Sequence, residues 1–253
     1  PTITSIPTAS AISYGQSLTS SSLTSGTASV PGVFAFNTPN TIPSAGSSNH
    51  SVTFTPTDTA NYNPVSSTVS ITTNTVALNS SNIAFTVPVS LVYSGTAKTF
   101  TASASSISTG FTYSYSSVSG TSYGPTSTPP INAGNYAVTA TVTNANYTGS
   151  ATQTFTITKA TPAITWAAPA SIAYGTGLSA TQHNASTSVA GNFAYTPATG
   201  TVLSAGARTL QAVFTPTDTA NYNTPTASVS LQVTATSLQI PLLAPPNHTY
   251  DGS

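Results

Sequence analysis

The chain has almost no charge. Of its 253 residues only three are basic and three are acidic, so that 2% of side chains carry a formal charge, against about a quarter in an average globular protein. Three basic residues are too few for the surface that nucleic-acid phosphates or anionic lipid headgroups require. No apolar run approaches the roughly 20 residues of a spanning helix. The sequence therefore predicts neither a nucleic-acid partner nor membrane insertion.

Cysteine is also absent. Its absence excludes disulfide bonds, thiolate catalysis and zinc-thiolate sites, without fixing the redox compartment. The chain begins at Pro1 with neither a Met nor a basic and apolar leader. We therefore expect an interior fragment of a longer protein or a processed product.

Residue types that favour β-strands dominate the sequence. Polar character comes from Ser, Thr and Asn, and hydrophobic residues make up 38% of the chain. Apolar residues alternate with polar ones in short runs, which predict strands with one buried face; these runs contain Val52 and Phe54, Val69 and Ile71, Val138 to Val142, Phe155 and Ile157, Leu210 to Phe214, and Val229 to Val233. Gly, Pro, Asn and Asp separate the runs. The pattern predicts an all-β chain of tandem immunoglobulin-like antiparallel β-sandwiches with almost no helix.

Aromatic residues are expected to fill much of the core, because a small module has little other bulk to bury. These are Phe34, Phe36, Tyr113, Tyr115, Phe193, Tyr195 and the single Trp, Trp166. The segment from Ala133 to Val138 is typical of a tyrosine corner, in which a Tyr hydroxyl bonds to nearby upstream backbone.

The chain repeats itself. The segment from Phe54 to Asn63 recurs letter for letter from Phe214 to Asn223, 160 positions later. A diverged relative lies between the two copies, which gives a module length of about 80 residues. We divide the chain into a first module (1–76, type A), a second (77–160, type B), a third (161–235, type A) and the start of a fourth, type B module or a terminal strand (236–253).

The repeated segments resemble the MBG family of mostly bacterial Ig-like domains. The resemblance rests on four segments: Ile12 to Leu18, Ser44 to Gly46, Phe54 to Asn63, and the lead-in Lys159 to Pro162. It implies tandem modules in a large secreted or cell-surface protein, a stalk or adhesin setting, and no catalytic residues.

The acidic residues and histidines offer no catalytic or metal-binding set. The acids are Asp58, its repeat equivalent Asp218, and Asp251, without any Glu. A single Asp in the same loop of each type A module predicts a turn in which the carboxylate accepts backbone N–H groups. His50, His183 and His248 lie at non-equivalent positions and are interpreted as solvated loop residues. We predict no catalytic, cofactor-binding or metal site, no cofactor, and no enzymatic activity.

Three further groups of residues allow either a functional or a plain structural interpretation. A Lys–Asn cross-link at Lys98 is disfavoured because its module has no acid, and Lys159 at a module boundary is interpreted as a solvated lysine. The recurring loop residues Tyr62, Tyr147 and Tyr222 are interpreted as packing on their own modules rather than binding sugar. Whether the five glycosylation sequons are used stays open; they begin at Asn49, Asn79, Asn146, Asn184 and Asn247.

Short connectors between the modules lead to the functional hypothesis. The segments Thr75 to Ala77 and Lys159 to Pro162 are too short to act as flexible linkers. They predict a semi-rigid spacer of an extracellular or cell-surface bacterial adhesin-like protein, in which each module contacts mainly its neighbours.

Two alternatives remain at this point. Because the surface is neutral, copies of the chain are candidates for self-association into a filament or sheath, with Leu238 to Leu243 adding as a strand to a neighbour. A less favoured alternative is a glycan-binding adhesive module that recognises a cell-surface ligand.

Overall fold

The computed structural model describes residues 1–107, 110–120, 122–238 and 252. Over these residues the chain is all-β, apart from one turn of 3-10 helix at Leu18–Ser20. The expected fold class is confirmed. Contacts divide the chain into two compact units, the first formed by Pro1–Leu91 with Gly95–Ile157 and the second by Val92–Ser94 with Thr158–Ser253.

The first module is built on a four-stranded sheet with the strand order β3-β8-β7-β6. Strands β7 and β8 are long and antiparallel, whereas β3 runs parallel to the end of β8. Two small sheets pair β1 with β5 and β2 with β4, and β2 also contacts β8 of the main sheet. The strands are β1 (Ile3–Ser5), β2 (Thr8–Ala9), β3 (Ile12–Ser13), β4 (Leu23–Thr24), β5 (Thr27–Ala28), β6 (Gly32–Phe36), β7 (Gly46–Pro56) and β8 (Val65–Asn74).

The second module has a four-stranded sheet with the order β12-β13-β14-β9 and a β10-β11 pair. Its strands are β9 (Val76–Leu78), β10 (Ile83–Thr86), β11 (Thr101–Ala104), β12 (Phe111–Ser119), β13 (Gly134–Val142) and β14 (Tyr147–Ile157). Strand β9 runs parallel to the start of β14, so Val76, the last residue of the predicted first module, pairs with the second.

The third module repeats the main sheet of the first, in the order β15-β18-β17-β16. Its strands are β15 (Ile172–Ala173), β16 (Gly191–Thr196), β17 (Gly206–Pro216) and β18 (Thr226–Thr234). The short β15 again pairs in parallel with the last strand. The two type A copies therefore share one topology, as their identical segments predict.

The alternating runs place their apolar residues in the core. In β7, for example, Val52 and Phe54 are buried, while Thr55 between Phe54 and Pro56 is exposed. Of the aromatics expected in the core, Tyr115 is fully buried, and Phe36, Tyr113 and Trp166 are half-buried and pack against the buried clusters of their modules. Phe34 and Phe193 are half-buried because they lie on β6 and β16, the edge strands of their sheets.

The tyrosine corner is present at the start of β13. The Tyr136 hydroxyl donates to the Asn132 carbonyl at 3.0 Å, and the ring stacks on Phe155 with 5.7 Å between centroids. Burial raises the pKa of the Tyr136 hydroxyl. The hydroxyl therefore holds the loop before β13 against the core.

We predict that Tyr136→Phe lowers the free energy of unfolding of the second module by about 1 kcal/mol, because it leaves the Asn132 carbonyl without this donor. Urea unfolding of the full chain measures the change. Tyr62→Phe is the matched control, because it removes the same hydroxyl from an exposed ring. Equal effects of the two substitutions would contradict this role of the corner.

Candidate functional site: tyrosines at the module junctions

A single residue separates the backbone pairing of the first module from that of the second. Asn74 ends β8, and its carbonyl accepts from the Tyr14 amide at 2.9 Å. Val76, two residues later, donates to the Asn146 carbonyl at 3.1 Å and pairs in parallel with Tyr147. Only Thr75 lies between these two sets of contacts.

Side chains cross the same junction within the first unit. The rings of Tyr14 and Tyr147 meet edge to face, with centroids 5.4 Å apart and planes at 78°. The Ala45 amide donates to Asn146 Oδ1 at 2.9 Å. Each tyrosine is half-buried. The turn that carries Tyr14 (residues 12–15) is called the opening turn below, and the loop that carries Tyr147 (residues 144–147) the closing loop.

The second unit contains the same arrangement. The Tyr93 amide donates to the Thr158 carbonyl at 2.8 Å, and the ring meets Tyr222 edge to face at 5.2 Å and 84°. Ala160 bridges in parallel to Tyr222. It donates to the Asn221 carbonyl at 3.0 Å and accepts from the Asn223 amide at 2.8 Å.

Lys159 is the single residue between Thr158 and Ala160. It is exposed, as expected, but its Nζ also donates to the Thr219 carbonyl at 2.6 Å. It therefore contacts the closing loop of the third module (residues 218–223).

Tyr147 packs against the core of its own module, as the interpretation of the loop tyrosines expects, and its ring also contacts Tyr14. Tyr222 contacts Tyr93, which the interpretation did not include. Each of these rings contacts the tyrosine of an opening turn far earlier in the sequence. The third loop tyrosine, Tyr62, is 42% exposed.

Asp58 and Asp218 shape the closing loops of the type A modules. Asp58 Oδ1 accepts from the backbone amide of Asn61, and Oδ2 accepts from the Asn61 side chain at 2.8 Å. These bonds from Asn61 lower the pKa of the Asp58 carboxyl. Asp218 makes the same two contacts with Asn221. This is the turn that the sequence predicts for both residues.

The second module forms its closing loop with an amide instead of a carboxylate. Asn144 Oδ1 accepts from the Asn146 amide at 2.9 Å, and the Asn144 carbonyl accepts from Tyr147 at 3.0 Å. This loop is one residue shorter, and a neutral side chain accepts the bond that Asp58 accepts from Asn61, so a charge is not required for that bond. Asp251 lies outside the described residues.

The interpretation of the histidines as solvated loop residues is wrong for His50 and His183. His50 is half-buried in β7, with its Nε2 2.8 Å from Ser48 Oγ. His183 is only 8% exposed and stacks on Tyr195 at 4.4 Å with planes 7° apart. Because the His183 ring lies flat on the Tyr195 ring, that face of the imidazole is closed to solvent. His248 lies outside the described residues.

The described part of the chain contains no group of three His, Asp or Glu side chains that could hold a metal ion. No described helix is long and apolar enough to cross a membrane.

Lys98 is buried, which the sequence did not predict. Trp166 is half-buried, and its Nε1 donates to the Gln182 carbonyl at 3.0 Å. Of the segment Leu238 to Leu243, only the exposed Leu238 is described.

Four of the five sequon asparagines lie in the described residues. Asn49, Asn79 and Asn184 are exposed, whereas Asn146 is half-buried and engaged at a junction. Asn247 lies outside the described residues.

We predict that the stability of the third module falls as the pH drops below about 6.5, the usual pKa of a histidine. Burial lowers the pKa of His183 in the folded chain. The unfolded chain therefore binds a proton at a pH where the folded chain does not, and stability rises with pH through this window.

Urea unfolding between about pH 5 and 8 tests the sign of this effect. His183→Phe keeps a flat ring on Tyr195 but cannot titrate, so its unfolding curve should be less sensitive to pH. An unchanged pH dependence in this variant would contradict the assignment.

Residues 86–161 match the family model of the MBG domain. No curated relative matches the chain by sequence. Among solved structures, the chain is similar to Sidekick-1 immunoglobulin domains 1–5, with 11% identity, a TM-score of 0.35 and coverage of 92% of this chain. It spans 58% of that structure.

Drosophila N-cadherin EC1-4 is similar at 9% identity and a TM-score of 0.24, with 92% of this chain and 75% of that one covered. The match of residues 86–161 to the MBG domain confirms the family resemblance that the repeated segments predict.

Proposed function

We propose that the chain is a spacer segment of a large extracellular or cell-surface protein, of the adhesin type found in bacteria, and that it has no enzymatic activity of its own. The observation that carries the proposal is the repeated junction. At both described junctions a tyrosine from an opening turn contacts a tyrosine from a closing loop, beside a connection of one residue. A spacer needs this kind of connection, because it has to limit bending between neighbouring modules.

The junction between the first two modules restricts their relative motion in two ways. The backbone is hydrogen-bonded on both sides of Thr75, so few torsion angles are free to change there. The contact of Tyr14 with Tyr147 adds an edge-to-face ring pair, an arrangement that contributes about 0.5–1.5 kcal/mol beyond its buried area.

The exposed faces of the sheets also suit an extracellular setting. Hydroxyl groups on neighbouring strands form hydrogen bonds with each other, at exposed positions where charged side chains are common in other proteins. Such pairs include Ser47 with Ser70 at 2.9 Å, Thr53 with Ser66 at 3.1 Å, and Thr139 with Thr152 at 2.8 Å. Dissolved salt weakens the attraction between exposed charges but has little effect on hydrogen bonds between neutral groups. The surface therefore keeps these hydroxyl–hydroxyl bonds when the ionic strength changes.

We predict that Tyr14→Ser broadens the distance distribution between the first and second modules, because it removes one ring of the junction pair. Spin labels at Thr55→Cys and Thr154→Cys report this distance by pulsed electron paramagnetic resonance in the full chain. Both sites are exposed and lie within strands. The chain has no native cysteine, so only these two positions are labelled.

Tyr93→Ser is the matched control. It removes a ring from the other tyrosine pair, and the distance between the two labels should keep its width. A Tyr147→Ser variant should broaden the distribution as Tyr14→Ser does, and the double variant should add little more, since either change already removes the pair. An unchanged width in Tyr14→Ser would remove the support for the spacer function.

A further inference from the structure

Strand β6 of the first module presents backbone hydrogen-bonding groups that its own sheet does not use. It is the last strand of that sheet, and its pairing with β7 ends in a bond from the Asn37 amide to the Ser51 carbonyl at 3.0 Å. In an antiparallel pair only every second residue bonds to the neighbouring strand. The backbone groups of Gly32, Phe34 and Phe36 therefore point away from β7, to the open side of the sheet.

The second module covers the equivalent edge with a segment of its own. The connection between β12 and β13 folds back along β12. The Tyr115 amide donates to the Thr126 carbonyl at 2.7 Å, and the Thr126 amide donates to the Tyr115 carbonyl at 3.0 Å. The Ser117 amide donates to the Tyr123 carbonyl at 2.8 Å. In the first module the connection between β6 and β7 (residues 37–45) makes no such bond to β6 among the described residues, so this edge stays open.

Strand β6, which is described in full, lacks the features that usually prevent the addition of a further strand. Natural proteins protect sheet edges with charged side chains, with Pro or with a bulge. The strand Gly32–Phe36 contains neither a charged residue nor a Pro, and its register with β7 is regular. Strand β12, by contrast, has a register shift between Ser117 and Ser119. The edge of β6 therefore has no structural protection against pairing.

Neighbouring modules of the same chain do not account for the open edge. At Thr75 the modules adjoin through an opening turn and a closing loop, whereas β6 lies at the side of its sheet. The edge strand β16 of the third module has the same alternation of exposed and half-buried residues as β6, although the second module precedes it in the chain. The open edge is therefore a property of the type A module itself.

We propose that β6 pairs with β6 of a second copy of the chain, antiparallel and symmetric about Phe34. The outward backbone groups are self-complementary in this arrangement. Phe34 of one copy exchanges two backbone bonds with Phe34 of the other, and Gly32 does so with Phe36. The four-stranded sheets of the two first modules thereby join into one continuous sheet.

The side chains of β6 suit the same pairing. Val33 of one copy lies opposite Ala35 of the other, in a pair whose Cα atoms approach to about 4.5 Å. Val33 is 68% exposed and Ala35 is also exposed, so the contact removes apolar surface from water. On the other face of the strand, Phe36 lies opposite Gly32, which has no side chain to obstruct the ring.

The scarcity of charge favours a second copy over a charged partner. Residues 1–76 contain a single charged side chain, Asp58. A charged strand that docks on β6 loses hydration and finds at most this one partner. A second copy instead brings an uncharged strand and little long-range repulsion. The chain itself covers β12 with an uncharged segment, Tyr123 to Thr126.

The contact is isologous, because the same strand takes part from both copies, and it therefore closes on itself. A pairing of two five-residue strands is small compared with the roughly 1,200 Å² or more that stable interfaces bury. We therefore expect a dissociation constant on the order of 0.1–1 mM.

Disulfide trapping tests both the contact and its register. The chain has no native cysteine, and the spacing of Val33 and Ala35 across the proposed pair suits a disulfide. A mixture of Val33→Cys and Ala35→Cys should form a cross-linked pair under mild oxidation at about 0.5 mM. Either variant alone should cross-link at least about fivefold less, because each introduced thiol then faces an unsubstituted residue. Both positions are exposed, so neither change should impair folding.

A control mixture separates pairing from random collision. Thr154→Cys also carries an exposed thiol, and with Val33→Cys it should cross-link no more than either single variant. Cross-linking of Val33→Cys with itself as efficiently as with Ala35→Cys would indicate another register or random contact, and would overturn the proposal.

Sedimentation equilibrium of the full chain at up to about 1 mM tests the pairing without a cross-link. The parent chain should associate, and Val33→Lys should weaken association at least about tenfold, because a charge on an edge strand opposes strand addition. Val118→Lys is the matched control. It changes an exposed valine on β12, whose edge is already covered, and should leave association unchanged.

Two outcomes of the sedimentation experiment overturn the proposal: a parent chain that stays monomeric throughout, or an equal loss of association in the two lysine variants. The spacer function is tested separately, because its spin labels report on two modules of one chain.

Discussion

Each module is closed by a backbone hydrogen bond from its opening-turn tyrosine to the carbonyl at the end of its last strand. Tyr14, Tyr93 and Tyr174 make this bond to Asn74, Thr158 and Thr234, at 2.8–2.9 Å. The bond fixes the tyrosine beside the point where the chain leaves the module. At the two described junctions the ring is thereby placed against the closing loop that follows. The parallel pairing of Val76 with Tyr147 begins within two residues of the same point.

The near absence of charge determines how the rest of the surface is stabilised. Hydroxyl and amide groups provide the local bonds, as in the closing loop of the second module, where Asn144 accepts a bond like those that Asp58 and Asp218 accept. A charge is therefore not required for this bond. The same neutrality leaves little long-range repulsion between copies of the chain.

The sequence predicted those features that depend on local patterns. Period-2 alternation located the long strands, since burial of one face of a sheet imposes that period. Self-comparison found the 160-residue shift that also relates β7 to β17, and Asp58 was correctly placed in a turn. The tyrosine pairs were not predicted, because contacts between distant residues leave no periodic signal. The available signal was that a tyrosine recurs at two fixed places in each module, once in the opening turn and once in the closing loop.

Other residues were misplaced for related reasons. Phe34 and Phe193 were expected in the core because of their size, but their strands lie at sheet edges, and strand order is not visible in composition. His183 was expected in solvent, but it is covered by Tyr195, a partner outside its own turn.

The connection of one residue at Thr75 also constrains how such a chain can change. Successive residues of an extended strand point to opposite sides, so one residue inserted at this point would turn Val76 and its successors to the wrong face. A whole module added between two others reproduces both sides of the junction and disturbs neither. Growth by complete duplication is therefore structurally easy, whereas gradual lengthening of the connection is not. The segment repeated without change at Phe54–Asn63 and Phe214–Asn223 fits growth of this kind.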